Sequence, residues 1–326
     1  MTPAVDFRLT DDQEALRRGT RELLDARCGR DALRRAAGDG SGPPPARLDR
    51  ALWRELADAG FFALALPEAE GGVGLGLPET VLVMEEAGRA LVPGPLAASW
   101  LAATAGLVPG AADGTAVVTA LERAEGPVEH LEAADRVLVL DGDGPPRTVA
   151  PESLRAEPVR SVDPLSPLHR VTGGPATRAA GEAPEGVDGA RLRREGALLT
   201  AAQQLGSAGR TVEMAVGYAR EREQFGQPIG AFQAVKHLCA EMLVRTETAR
   251  SVVYAAALTE DGTETAAAKL LADEAAVRNA RDCLQVHGGM GFTWEADVHL
   301  HLKRAWLRAG QWQSVVTAEE KLATAL

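Results

Sequence analysis

The sequence predicts a mostly α-helical protein with a short β region set between two helical blocks. Three observations carry this. Apolar residues recur at three- and four-residue steps before about residue 110 and again after about residue 190. Ala and Leu are plentiful while aromatics make up 4% of the chain, a mix that packs helices closely and makes poor sheets. Residues 141–190 hold eight Pro and seven Gly, a density at which only short, turn-separated strands survive. The expected division is an N-terminal helical domain over 1–110, a reduced β domain over 111–188 and a C-terminal helical bundle over 189–326.

The first helix opens at Thr10, where Gln13 completes a capping box and Asp11 and Asp12 favour a helix N-terminus; it runs to about Arg27. Gly38 to Pro45 reads as a loop. A second helix carries Leu48, Leu52 and Leu56 on one stripe. Gly71 to Gly76 is a second glycine-rich loop, and Pro78 suits the first turn of the helix that follows. That helix turns Val81, Met84, Ala87 and Leu91 inward and stops before Pro93; a further apolar helix covers about Leu96 to Leu107. Thr115–Leu121 and Arg136–Leu140 read as strands. Helices resume near Ala190, with Leu198, Ala202, Leu205, Val212, Val216 and Ala219 on one face. Phe225–Ile229 breaks the run. A second long helix holds Val235, Leu238, Met242, Ala249, Val252 and Ala256, a third spans about Glu264 to Val286, and two shorter helices follow Gly288–Gly291. Long antiparallel helices joined by short loops predict a bundle.

Composition narrows the function classes. The chain has 326 residues, 25% of them charged and 45% hydrophobic, as in an ordinary globular protein. A net charge of −11 gives no electrostatic footprint for DNA or RNA, so no nucleic-acid partner is expected. Cys28, Cys239 and Cys283 are odd in number and widely spaced, which argues against a zinc site or a disulfide framework. The six histidines are scattered or, at His299 and His301, fall on different helix faces, so no metal is expected. Met1 to Leu9 lacks an apolar signal core, and no run approaches ~18 apolar residues. A cytoplasmic protein without a membrane span is expected.

Two segments stand out. In Arg222-Glu223-Gln224-Phe225-Gly226-Gln227-Pro228-Ile229, followed by Phe232-Gln233, Gly226 and Pro228 can simply close a helix with Phe225 as an apolar staple. Alternatively, Arg222 sits at a bundle corner where its guanidinium grips a pyrophosphate, and Phe225 offers its face to a planar ring. In Gln285-Val286-His287-Gly288-Gly289-Met290-Gly291-Phe292, the glycines can be a plain turn, or a stretch of bare backbone that a cofactor approaches closely, with Gln285 bonding its ribose or phosphate. No strand precedes these glycines, nor those of Gly71–Gly76, so neither is a Rossmann fingerprint.

These two segments, each at the end of a long helix, together resemble the acyl-CoA dehydrogenase family. Trp53-Arg54-Glu55-Leu56-Ala57-Asp58-Ala59-Gly60, Pro67-Glu68, Gly71-Gly72 and Met84-Glu85-Glu86-Ala87-Gly88-Arg89 resemble its N-terminal helical domain. The resemblance covers about 1–108 and 190–310 and implies a helical domain, a β domain and a four-helix bundle. It also implies FAD as cofactor, an acyl-CoA or acyl-carrier-bound substrate, and α,β-desaturation, in which a carboxylate takes the Cα proton and the flavin takes a hydride from Cβ.

The resemblance fails where that chemistry happens. The family's usual base position falls on Trp312, followed by Gln313 and Ser314, and its less common one falls on Gly196, beside Glu195. The family's flavin-facing β-domain runs are missing from residues 113–190. What matches is the half of a flavin site that one subunit extends across to another: Arg222, Gln224, Phe225, Gln233, Gln285, Gly288 and Gly289 as cofactor-binding residues, and none as catalytic. This pattern is similar to the short, base-less subunit of heteromeric actinobacterial acyl-CoA dehydrogenases, whose homologous partner carries the base. Two alternatives stay open: a self-sufficient homo-oligomer using a relocated acid, Glu319 or Glu320, and a non-catalytic scaffold of the same fold.

Overall fold

The computed structural model describes residues 8–38, 48–123, 125–140, 145–173, 181–182 and 186–325. The loop expected over Gly38 to Pro45 lies outside them apart from Gly38. Five helices come first: α1 (Asp11–Arg27), α2 (Arg30–Ala37), α3 (Arg50–Asp58), α4 (Leu77–Arg89) and α5 (Leu96–Thr104). Seven short strands follow: β1 (Val118–Leu121), β2 (Pro127–Glu129), β3 (Arg136–Val139), β4 (Arg147–Val149), β5 (Arg155–Val159), β6 (Leu168–Gly173) and β7 (Gly181–Glu182). Then come the three long helices α6 (Gly189–Glu221), α7 (Gln233–Thr259) and α8 (Gly262–His287), and the shorter α9 (Val298–Arg308) and α10 (Val315–Thr324). A two-stranded hairpin of β8 (Glu223–Gln224) and β9 (Gln227–Pro228) joins α6 to α7.

Local chemistry sets the helix starts. The Thr10 hydroxyl accepts from the Gln13 backbone N–H (3.2 Å), and the Thr10 N–H donates to Gln13 Oε1 (3.0 Å), closing the capping box. Asp49, Asp188 and Asp261 cap α3, α6 and α8 through their carboxylates. Several ends differ from the sequence reading. Helix α3 starts after Leu48 and buries Trp53, Leu56 and Ala57. Helix α5 stops at Thr104, because Gly106 turns left-handed (φ +63°) and Leu107 N–H bonds back to the Ala102 carbonyl. Helix α4 stops at Arg89. Leu91, expected on its inner face, lies beyond it at φ +52°, while Leu91 and Val92 N–H close onto the Gly88 and Ala87 carbonyls. Helix α2 was not expected. Arg30 and Arg34 tie it to Asp297, at 2.9 and 2.8 Å.

The strands form two small sheets, ordered β1-β3-β4-β7 and β2-β6-β5. Side-chain alternation along β3 divides its packing: Val137 and Val139 join Val128 and Val171 in a core of the β region, and Leu138 faces the helices. The main core is continuous from the N-terminal helices into the bundle, running through Trp53, Met84, Trp100, Leu198, Leu205, Val253 and Ala272.

The crossing of α4 and α6 is the tightest joint. A methyl added at Gly88 would lie 1.9 Å from the Gln203 carbonyl oxygen, and one at Gly206 would lie 1.8 Å from that of Glu85. Two glycines therefore let the helix backbones touch. Arg89 braces the joint by pairing with Asp25 and Glu213, each at 3.0 Å. Among the described residues, no helix is long and apolar enough to cross a membrane.

Candidate functional site

The long helices α6 and α8 end at the same end of the bundle. Tyr218, in the last turn of α6, stacks on His287, the last residue of α8, with ring centroids 4.2 Å apart and planes 21° apart. The His287 Nδ1 donates to the Cys283 carbonyl (2.8 Å), which fixes the ring's tautomer and orientation. This stack brings the two singled-out segments side by side. Arg222 caps α6, the β8–β9 hairpin follows, Gln233 opens α7, and Gln285, Gly288 and Gly289 close α8.

All seven of the cofactor-binding candidates named above are exposed at this end. Phe225 and Gly226 form a two-residue hairpin turn with positive φ at both positions, +54° and +76°. Such turns ordinarily take Asn-Gly, because the first residue must be left-handed. Phe225 instead stands 92% exposed, touching Phe232 edge-on at 6.0 Å. It therefore does not act as a staple over the helix end. The Arg222 guanidinium has no hydrogen-bond or ion-pair partner among the described residues. Methyls added at Gly288 or Gly289 would meet nothing within 4 Å, so their backbone faces open space.

This donor set fits half of a dinucleotide site. An uncommitted guanidinium, three glutamines and bare glycine backbone suit phosphate and ribose oxygens, and Phe225 supplies an apolar face. Exposed Met290 and Phe292 extend the apolar area beside the glycines.

The other half of a catalytic centre looks different. Gly196 and Trp312, the two positions at which the resemblance implies a base, meet in space. A methyl added at Gly196 would lie 2.2 Å from Cε3 of the Trp312 indole. The indole thus occupies the volume that a side chain at 196 would take. Trp312 is itself left-handed (φ +61°), and its backbone N–H donates to Glu122 Oε2 at 2.5 Å. Burial pushes the Glu122 carboxyl up to about 7, against the Trp312 hydrogen bond.

Glu122 is a candidate that the sequence did not flag. It follows strand β1 in an unremarkable Ala-Leu-Glu-Arg run, and only folding brings it to Trp312. Glu195 is buried and held by Arg191, whose Nε donates to Oε1 at 2.6 Å. Burial raises its carboxyl and that bond opposes the rise. Glu319 and Glu320 are exposed on α10. The described residues hold no group of three or more His, Cys, Asp or Glu placed to bind a metal.

Residues 193–309 match the family Acyl-CoA dehydrogenase, C-terminal domain, and residues 10–117 match Acyl-CoA dehydrogenase, N-terminal domain. The acyl-CoA dehydrogenase IpdE2 of Mycobacterium tuberculosis is 36% identical over 90% of this chain and 91% of its own. Among solved structures, a chain of the ChsE4-ChsE5 complex from Mycobacterium tuberculosis superposes with a TM-score of 0.84 at 26% identity, covering 98% of both chains. A chain of a Tcur3481-Tcur3483 steroid ACAD gives 0.79 at 26% identity, covering 96% of this chain and 97% of that one.

Proposed function

The chain belongs to the acyl-CoA dehydrogenase family, and from that premise we propose that it serves as the base-less subunit of a heteromeric, FAD-dependent acyl-thioester dehydrogenase. The observation that carries this reading is the contact between Trp312 and Gly196, which leaves neither base position with a carboxylate and fills the space between them. The exposed Arg222, Phe225 and Gln285 support it from the other side, because they present donors and an apolar face to solvent, where a neighbouring subunit would meet them. That two of the structural neighbours are named as pairs of different chains agrees with a heteromer.

FAD, when bound, supplies the acceptor for a hydride leaving Cβ of the acyl group. In this reading Arg222 pairs with the pyrophosphate, Gln224, Gln233 and Gln285 orient polar edges, Phe225 covers ring surface, and Gly288 and Gly289 allow close approach. The partner's carboxylate takes the Cα proton.

A second reading has one observation in its favour. Glu122 is a half-buried carboxyl pushed up to about 7, suited to a general base, and it lines a cavity of about 320 Å³ with Gly126, Leu168 and Gln311. A self-sufficient enzyme would use it in place of an acid on α10.

The experiment is to purify the chain alone and together with a base-bearing homologue, then record flavin absorbance, mass and desaturation of acyl-CoA in each. The accessory-subunit reading expects flavin and activity only in the mixed complex. Stoichiometric FAD and turnover by the chain alone would overturn it in favour of the Glu122 reading.

A further inference from the structure

Arg222, Gln285 and Gly288 come from two separate stretches of chain, and one ligand can meet all three only if those stretches keep a fixed spacing. The exposed Arg222 and Gln285 side chains have no hydrogen-bond partner among the described residues, so they do not set that spacing themselves. It is set one layer below them, by two half-buried rings.

The first ring is Tyr218, whose carbonyl accepts the Arg222 N–H at 2.9 Å, so ring and arginine share one turn of backbone. The second is His287. It directly precedes Gly288, whose N–H closes onto the Gln285 carbonyl. The stack of these rings, 4.2 Å between centroids, therefore runs from the turn that carries Arg222 to the turn that carries Gln285 and Gly288. No other ring pair joins α6 to α8 among the described residues.

Both rings sit on firm ground. The His287 Nδ1 is spent on the Cys283 carbonyl of its own helix. The turn beyond it folds back so closely that a methyl added at Gly291 would lie 3.1 Å from the His287 Cβ. On the other side, the chain leaving the β8–β9 hairpin returns onto α6, where a methyl added at Gly230 would lie 2.9 Å from the Ala219 carbonyl oxygen. Each ring is thus tied to its own element, and their contact transmits the spacing of one helix end to the other. Without it, binding would have to order the two ends, and affinity would fall by the cost of that ordering.

We propose that Tyr218 and His287 are positioning residues for the flavin dinucleotide: their stack sets the separation of Arg222 from Gln285 and Gly288, so that one ligand is gripped by all three. This rests on the reading of that end as half of a flavin site.

The test uses the flavin-loaded complex with a base-bearing homologue, following FAD release on dilution by flavin fluorescence and assembly by mass. Tyr218→Phe keeps the ring and should hold FAD as wild type does. Tyr218→Leu should weaken retention about three- to tenfold, the size of an aromatic pair. His287→Asn removes the other ring while keeping a donor for the Cys283 carbonyl. It should show the same loss, and it carries the test if Tyr218→Leu does not assemble. A double-mutant cycle separates positioning from mere support of the fold. With Arg222→Ala already in place, removing the stack should cost less than about twofold, whereas a purely structural stack would cost the same factor in both backgrounds. Equal factors, a loss in Tyr218→Phe as large as in Tyr218→Leu, or full retention without the stack while Arg222→Ala releases FAD would overturn the positioning role and leave the flavin reading standing. Unchanged retention in Arg222→Ala would overturn both.

Discussion

Phe225 holds a backbone conformation that costs a non-glycine residue about 1–2 kcal/mol, and its ring lies 92% in solvent. Neither feature helps this chain fold, and both make sense if the ring is covered in an assembly. Phe225→Asn restores the residue that the turn prefers. It should stabilise the isolated chain by up to about 1 kcal/mol, seen as a higher urea midpoint, while the assembled protein loses flavin faster on dilution. A midpoint below wild type would show that Phe225 supports the fold. Arg222 makes the complementary case, since its guanidinium has no intramolecular partner to lose. Arg222→Ala should leave the urea midpoint unchanged and weaken FAD retention in the complex by roughly ten- to hundred-fold, as expected for a charge-assisted contact. Equal retention in mutant and wild type would reduce Arg222 to a helix-end residue.

At the scale of elements, the α4–α6 crossing turns sequence into geometry through two glycines. Glycine in a helix interior ordinarily costs about 0.5–1 kcal/mol relative to alanine, so replacing one should stabilise the protein unless the space is needed. Gly217, in the same helix α6, has nothing within 4 Å of an added methyl, whereas Gly206 would drive that methyl into the Glu85 carbonyl at 1.8 Å. Gly217→Ala is therefore expected to raise stability by up to about 1 kcal/mol, and Gly206→Ala to lower it by about 1–3 kcal/mol or more. Urea denaturation of the two variants checks the opposite signs; a neutral Gly206→Ala would mean the crossing yields easily.

Helix identity along the chain was legible because burial follows the apolar period: Val81, Met84 and Ala87 all turn inward on α4, as do Met242, Ala249 and Ala256 on α7. Helix ends were less legible. The left-handed stop at Leu91 is imposed by tertiary packing, with its side chain fully enclosed beside Leu165 and Leu300. Helix α2 rests on Arg30 and Arg34 reaching Asp297, a partner more than 260 residues away that no local pattern announces. The cofactor-binding candidates were legible as motif residues, whereas the Tyr218–His287 stack that gathers them and the Glu122–Trp312 bond exist only in three dimensions.

At the scale of the whole molecule, the two ends of the bundle carry opposite signatures. The end bearing Arg222 and Gly288 is open, polar and uncommitted. The region around Gly196 is closed by an indole and braced by the half-buried Glu122 carboxyl. A catalyst needs its base within hydrogen-bond reach of the proton it takes, and loss of a general base lowers the rate by roughly 10²–10⁴-fold. If this chain contributes only the open end, replacing each of its candidate acids by the isosteric amide should barely touch the chemistry of the complex. Glu122→Gln, Glu195→Gln, Glu319→Gln and Glu320→Gln, each measured in the flavin-loaded complex, should then keep kcat within a few-fold, while substitution of the partner's base abolishes it. Glu122→Gln is the decisive variant. Its amide can still accept the Trp312 N–H and so preserve the turn, which separates a structural role from a chemical one. A drop of the general-base size in Glu122→Gln, with assembly and flavin content intact, would move the reaction into this chain and make Glu122 its base.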